Sequence, residues 1–138
     1  MKFYRDKLMR EHNTLALQAR ADAFVCVTND DELLEALGWA STAGVAVVVL
    51  GHGSNIVLAD DVQALVVQQA VRGIEVVDTL NSDVILRVAA GENWHELVQW
   101  TLQQGYYGLE NLALIPGTVG ASPIQNIGAY GVELQSVL

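Results

Sequence analysis

The sequence holds 138 residues, 51% of them hydrophobic, with one cysteine and a formal net charge of −9. That is enough chain for one domain with a core, or for part of a larger protein; a lone cysteine excludes an internal disulfide or a cysteine metal cluster, and no metal site is expected. The acidic balance argues against nucleic acid as a partner, no apolar run reaches the ~18 residues of a membrane span, and the charged residues 1–14 lack the apolar stretch of a signal peptide, so a cytoplasmic setting is expected.

Charge is unevenly spread. Lys2, Arg5, Lys7 and Arg10 are four of the seven basic residues, none follows Arg87, and beyond Thr101 only Glu110 and Glu133 are charged. Disorder goes with high charge and low hydrophobicity, so this apolar tail is expected to pack against something. Residues 24–27 read as a short strand, with Cys26 as a buried small apolar side chain. Asn29 and Glu32 make a capping pair for a helix with Leu33, Leu34, Leu37 and Ala40 at helical spacing and Gly44 just past its end. The β-branched run at 45–50 reads as a strand covered on both faces. Residues 64–67, 74–77 and 84–89 read as further strands. A second helix is expected over 92–104, with Trp94, Leu97, Val98, Thr101 and Leu102 on one face and Gly105 closing it; His95 within it is assigned a structural part. Strands and helices mix without regular alternation, which makes the class α+β with a small, partly parallel sheet.

The strand at 45–50 runs into "GHGSN", residues 51–55. A dinucleotide fingerprint needs G-x-G-x-x-G opening a helix, and here Ile56 stands in the third position. No Gly-Lys-Ser/Thr of a P-loop occurs anywhere. The donors remain: Gly51 and Gly53 allow adjacent N–H groups to converge on one anion, and Ser54 and Asn55 add side-chain donors. On its own the stretch is first of all a tight strand-to-strand turn, with a phosphate-holding loop as the alternative.

A second stretch, "IPGTVGASPIQNIGAYG", contains Gly117, Gly120, Gly128 and Gly131 together with both prolines of the chain, Pro116 and Pro123. Proline fixes φ and glycine opens it, so the segment is expected to follow one defined irregular path. The run is similar to the flavin-binding signature of the UDP-N-acetylenolpyruvoylglucosamine reductases, a family within the wider vanillyl-alcohol oxidase/p-cresol methylhydroxylase type of flavin protein. "HNT" at His12 to Thr14, "LGHGSN" and "AGENWHELVQWTLQQG" at Ala90 to Gly105 agree with it in order and spacing, and "SPIQNIGAYGVEL" resembles the subtype of many Gram-negative bacteria.

The resemblance implies an FAD-binding fold of two α+β subdomains, the second incomplete, in which the two loops clasp the diphosphate. Gly51, Gly53, Ser54 and Asn55, with His52 between them, would supply donors on one side; Pro116, Gly117, Gly120, Ala121, Ser122, Gly128, Ala129 and Tyr130 would line the other. His52 departs from the family's usual glycine or glutamate, and reads either as a solvated loop residue or as a titratable donor beside the phosphates. Leu15 replaces the usual phenylalanine after Asn-Thr.

The same resemblance implies a reaction in which NADPH reduces FAD and the reduced flavin reduces a UDP-sugar enolpyruvyl ether to UDP-N-acetylmuramate, for peptidoglycan synthesis. The serine, glutamate and arginine that act in that family lie C-terminal to its Gly-Ala-Tyr-Gly motif, as does its substrate domain. The expectation is therefore a truncated N-terminal FAD-binding domain over 1–138, without catalytic residues and inactive alone. The full-length enzyme is expected to be monomeric and this portion to self-associate. The alternatives are a stand-alone flavin- or nucleotide-binding module without catalysis, or a scaffold that has lost its ligand.

Overall fold

The computed structural model describes residues 1–138, which fold as two compact units, Met1–Val71 and Arg72–Leu138. In the first, strands β1 (Phe3–Leu8), β2 (Arg20–Val27), β3 (Val47–Leu50) and β4 (Val62–Gln69) form one sheet in the order β1-β2-β4-β3. β2 and β3 both run parallel to β4, while β1 pairs antiparallel to β2. The expected α+β class with a partly parallel sheet is what the chain adopts. β1 is absent from the sequence reading, because alternating Arg, Asp and Lys beside Phe3 and Tyr4 look like a solvated terminus rather than a strand.

Helix α1 (Asp30–Ala43) starts and stops where the local chemistry says it should. The Asn29 side chain accepts the Glu32 amide at 2.9 Å, and the Glu32 carboxylate reaches back to the Thr28 amide at 2.7 Å and its hydroxyl at 2.8 Å. These bonds, the Thr28 amide foremost, hold the Glu32 carboxyl below the ordinary glutamate range. Gly44 ends the helix in the left-handed region at φ 65°.

The buried side of α1 differs from the expected one. Ala36 and Ala40 are fully buried, with Leu33 and Trp39 packed against the same cluster, whereas Leu34 is 67% exposed and Leu37 also faces outward. Two alanines let the helix lie close to Ala23, Val25, Val27, Leu65 and Val67 of the sheet, and that closer contact sets the helix rotation. Cys26 is likewise corrected. Successive side chains of a strand alternate faces, so the burial of Val25 and Val27 under α1 leaves Cys26 on the other face, exposed. The run at 45–50 also differs: β3 is an edge strand and Val49 is 68% exposed. Coverage on both faces belongs instead to the central β4, where residues 64–67 are all buried, Val66 in a second cluster with Met9, Ala21, Phe24 and Leu50.

In the second unit β5 (Ile74–Leu80) and β6 (Asp83–Val88) make an antiparallel hairpin. Helix α2 (Trp94–Gln103) is capped by Asn93, whose side chain accepts the Glu96 amide at 3.0 Å. Its inner face is Trp94, Leu97, Val98 and Thr101; Leu102, expected on that face, is exposed. Leu112, Ile127 and Leu134 from the apolar tail complete this core, and the Trp94 indole N–H donates to the Leu112 carbonyl at 2.8 Å. The tail thus packs largely within its own unit. It ends in short pieces: 3₁₀ turns at Glu110–Leu112 and Val119–Ala121, α3 (Ser122–Gln125), and a hairpin of β7 (Gly128–Ala129) and β8 (Val132–Glu133).

Candidate functional site

The 51–55 loop leaves the end of β3 and is held from behind by the "HNT" segment. Gly53 has φ 68°, and a Cβ there would stand 2.2 Å from the His12 carbonyl oxygen and 2.8 Å from Asn13 Cα. The glycine is therefore required by main chain crossing main chain inside the unit, a reason additional to any ligand. The Thr14 amide donates to the Gly53 carbonyl at 3.1 Å. Asn13 is buried and satisfied on all sides: its amide nitrogen donates to the Met9 and Leu17 carbonyls, and its oxygen accepts the Leu17 amide. Removing that side chain would leave several buried groups unpaired, at about 1–3 kcal/mol each.

What these contacts engage are the loop's carbonyls. Gly51 C=O accepts from Gln68 Nε2 at 3.2 Å and Gly53 C=O accepts from Thr14. The amide protons of Gly51, His52, Gly53 and Asn55 have no acceptor within the unit. His52 is exposed. A run of unengaged amides, with no lysine or arginine among residues 51–55, is a donor set for an anion bound by dipoles rather than by formal charge.

The second loop is built differently. The amides of Val119 and Gly120 donate to the carbonyls of Glu92 and Ala90, those of Ala121 and Ser122 to Thr118, and that of Ile127 to Ser122. Gly120 packs so closely on Ala90 that an added Cβ would stand 2.5 Å from the alanine's own Cβ. Ser122 is buried, its hydroxyl donating to the Val119 carbonyl at 2.6 Å. Gly117 is buried at φ 130°, and its carbonyl accepts the Trp94 amide at 3.1 Å, tying the loop to the start of α2. His95, one residue on, accepts the Leu114 amide on Nδ1 at 3.2 Å, a structural contact.

Beyond α3 the chain turns at Asn126, φ 47°, and enters the β7–β8 hairpin. Its two turn residues, Tyr130 at φ 53° and Gly131 at φ 79°, both lie in the left-handed region, as a two-residue type I′ turn requires. Tyr130 is 92% exposed at the tip. Gly128 and Ala129 line a shallow open groove along the hairpin with Asn126, Val132 and Gln135. Of the residues expected at a site, the structure thus gathers Gly51 to Asn55 in one loop of the first unit, and Pro116 to Ser122 and Gly128 to Tyr130 on consecutive turns of the second. His12 and Gln68 escaped sequence reasoning as participants. His12 lay within "HNT", but only the sheet brings Gln68 to it.

Comparison with known proteins adds chemistry to this geometry. A family described as FAD binding domain matches residues 21–138. The chain is 48% identical over 132 residues to the UDP-N-acetylenolpyruvoylglucosamine reductase of Pseudomonas fluorescens, covering 96% of this chain and 39% of that protein. It is 49% identical over 129 residues to the reductase of the same name from Escherichia coli, covering 94% of this chain and 37% of that one. The crystal structure of UDP-N-acetylenolpyruvylglucosamine reductase (MurB) from Thermus caldophilus superposes with a TM-score of 0.70 at 27% identity, over 96% of this chain and 44% of the other. The chain spans less than half the length of the relatives it matches. No helix is long and apolar enough to cross a membrane.

Proposed function

The chain belongs to the FAD binding domain family, and from that premise we propose that it is the FAD-binding portion, over 1–138, of a UDP-N-acetylmuramate dehydrogenase, a flavoprotein oxidoreductase of peptidoglycan precursor synthesis. The observation that carries this is the first loop's donor set. Four amides without an acceptor in their unit, on a loop whose carbonyls are held behind it, fit a diphosphate.

FAD, held by these loops, would supply the hydride-transfer chemistry that links NADPH to the enolpyruvyl group of a UDP-sugar. The chain's own contribution is binding and orientation. Gly51, His52, Gly53 and Asn55 offer amides, with Ser54 among them. In the second unit, Pro116, Gly117, Gly120, Ala121 and Ser122 lie on one tightly wound loop, and Gly128, Ala129 and Tyr130 present a hairpin edge and an exposed aromatic ring. The amides of Gly120, Ala121 and Ser122 are already engaged. These residues therefore act through shape and through the turns they hold.

Titration of FAD into the purified chain, followed by flavin fluorescence, tests the reading. Saturable binding is expected, displaced by ADP, which carries the adenosine diphosphate half, and not by riboflavin, which carries none. Absence of binding, or displacement by riboflavin as effective as by ADP, would overturn the diphosphate assignment.

A further inference from the structure

His12 ends the 3₁₀ turn Arg10–His12, and its ring lies against Phe24 of β2 with centroids 4.4 Å apart. Its Nδ1 is 3.0 Å from Gln68 Oε1 on β4, and Gln68 Nε2 donates to the Gly51 carbonyl at 3.2 Å. The direction of this relay is determined. The Gln68 nitrogen is needed at Gly51, so its oxygen faces His12, and an amide oxygen only accepts. Nδ1 of His12 therefore carries the proton, and Nε2 is left with a lone pair. That Nε2 is buried and has no hydrogen-bond partner.

The relay has a directional consequence for the loop. In a trans peptide the C=O and the following N–H point in opposite directions, and the chain has no cis peptide. Holding the Gly51 carbonyl on Gln68 turns the His52 N–H to the far side, and holding the Gly53 carbonyl on Thr14 does the same for the Ser54 N–H. One segment, His12 to Thr14, thus fixes two alternate peptides of the loop: that of Gly51, which aims the His52 donor, through the His12 ring and Gln68, and that of Gly53 through the Thr14 amide and the close packing of Gly53 on the His12 carbonyl.

We propose that His12, acting through Gln68, is the positioning residue of the 51–55 loop and sets how well the loop's amides hold a diphosphate. The identity of that ligand rests on the FAD reading above; the latch itself does not. It follows that the latch works with a neutral imidazole. A second proton would have to go on Nε2, where the chain offers no acceptor. Burial accordingly holds the ring below its ordinary value of 6.5, the Gln68 bond opposes that shift, and of the two charges acting on the ring Lys7 adds to it while Glu11 counters it. Phe24 and Gln68, from the two strands behind, bring no charge. Protonation leaves Nδ1–H facing Gln68 but puts a second N–H on the buried Nε2, which has no acceptor; the ring then has to move toward solvent to satisfy it, which draws Nδ1 from Gln68 and loosens the hold on the Gly51 carbonyl.

Two measurements on the whole chain decide this. Nitrogen-15 spectra of the imidazole should show the proton on Nδ1 and a titration below the ordinary histidine range, and the amide resonances of Gly51, His52 and Gly53 should move with that same titration. FAD affinity should fall on the acid side of pH 6.5 in step with the His12 titration, as the competent fraction falls. His12→Asn, which keeps a donor near the Nδ1 position and cannot titrate, should bind more weakly at pH 7.5 but with little dependence on pH; Gln68→Leu should lose about 10-fold at every pH while still melting cooperatively. A ring proton on Nε2, loop amides indifferent to the His12 titration, or a His12→Asn affinity that falls with pH as the parent's does would each overturn the latch. Loop amides that follow His12 in a chain that binds no FAD at any pH would uphold the latch and refute the flavin reading.

Discussion

The two glycine-rich loops look alike in sequence and are built on opposite plans. In the first, neighbouring segments take the carbonyls of Gly51 and Gly53 and leave amides unengaged. In the second, the amides of residues 119–122 are all engaged: those of Val119 and Gly120 tie the loop to the Glu92 and Ala90 carbonyls, and those of Ala121 and Ser122 turn back on Thr118 to wind the chain through a 3₁₀ turn into α3. Glycine serves the first loop by letting main chain cross main chain at Gly53, and the second by letting Gly120 sit on Ala90. The lesson is that a glycine count signals close approach without saying what is approached. Donor capacity is read from which backbone groups remain unpaired.

The largest expected effect lies at Gly53. A side chain there meets the His12 carbonyl and must also adopt φ 68°, so Gly53→Val is expected to destabilise its unit by about 3 kcal/mol or more and to weaken FAD binding at least ~10-fold. Denaturant unfolding with fluorescence titration measures both. A variant that loses affinity at unchanged stability would show that the glycine serves the ligand alone.

Next is Gly120→Ala, which drives a methyl into Ala90 and should cost about 1–3 kcal/mol. The closest clash is with the Ala90 methyl, so Ala90→Gly in the same chain should recover part of it; the rest remains because the added Cβ also stands 3.0 Å from Ala90 Cα and 3.1 Å from its carbonyl oxygen. Failure of the double variant to recover any stability would show that backbone strain, rather than that contact, sets the cost.

Tyr130 sharpens the comparison in the other direction. A tyrosine in the left-handed region of a type I′ turn is a poor choice for the hairpin, so Tyr130→Asn should stabilise the second unit by about 0.5–1 kcal/mol. If the exposed ring contributes to the flavin site, the same change lowers FAD affinity. Stability and affinity moving together would show that Tyr130 has no part in binding.

The smallest effect is electrostatic. Glu32 is held below its ordinary value near 4.5, chiefly by the Thr28 amide. A carboxyl with a lowered folded value contributes stability that is present above 4.5 and is lost as pH falls through the folded value. Melting temperature should therefore drop more between pH 5 and pH 3 for the parent chain than for Glu32→Gln. Identical pH profiles would remove the cap from the account of α1.

Short-range chemistry was legible in the residues alone. Asn29 and Gly44 act within a few positions of themselves, so both ends of α1 could be read with no knowledge of partners; α2 was legible as a helix over 92–104, but its Asn93 cap was not. The apolar runs of β4, β5 and β6 announced themselves in the same way, and two loops rich in glycine and proline, alongside "HNT", carried the resemblance to flavin-binding proteins. Tertiary structure alone decided the rest, because each remaining question asks which distant group lies opposite. Close packing of Ala36 and Ala40 on the sheet turned Leu34 outward, strand order made β3 an edge, and alternation across β2 exposed Cys26. The His12–Gln68–Gly51 relay spans 56 positions in its longer link and exists only because β2, β3 and β4 lie side by side. Hydrogen-bond partners at that separation are set by strand register, and register is a property of the assembled sheet rather than of any segment in it.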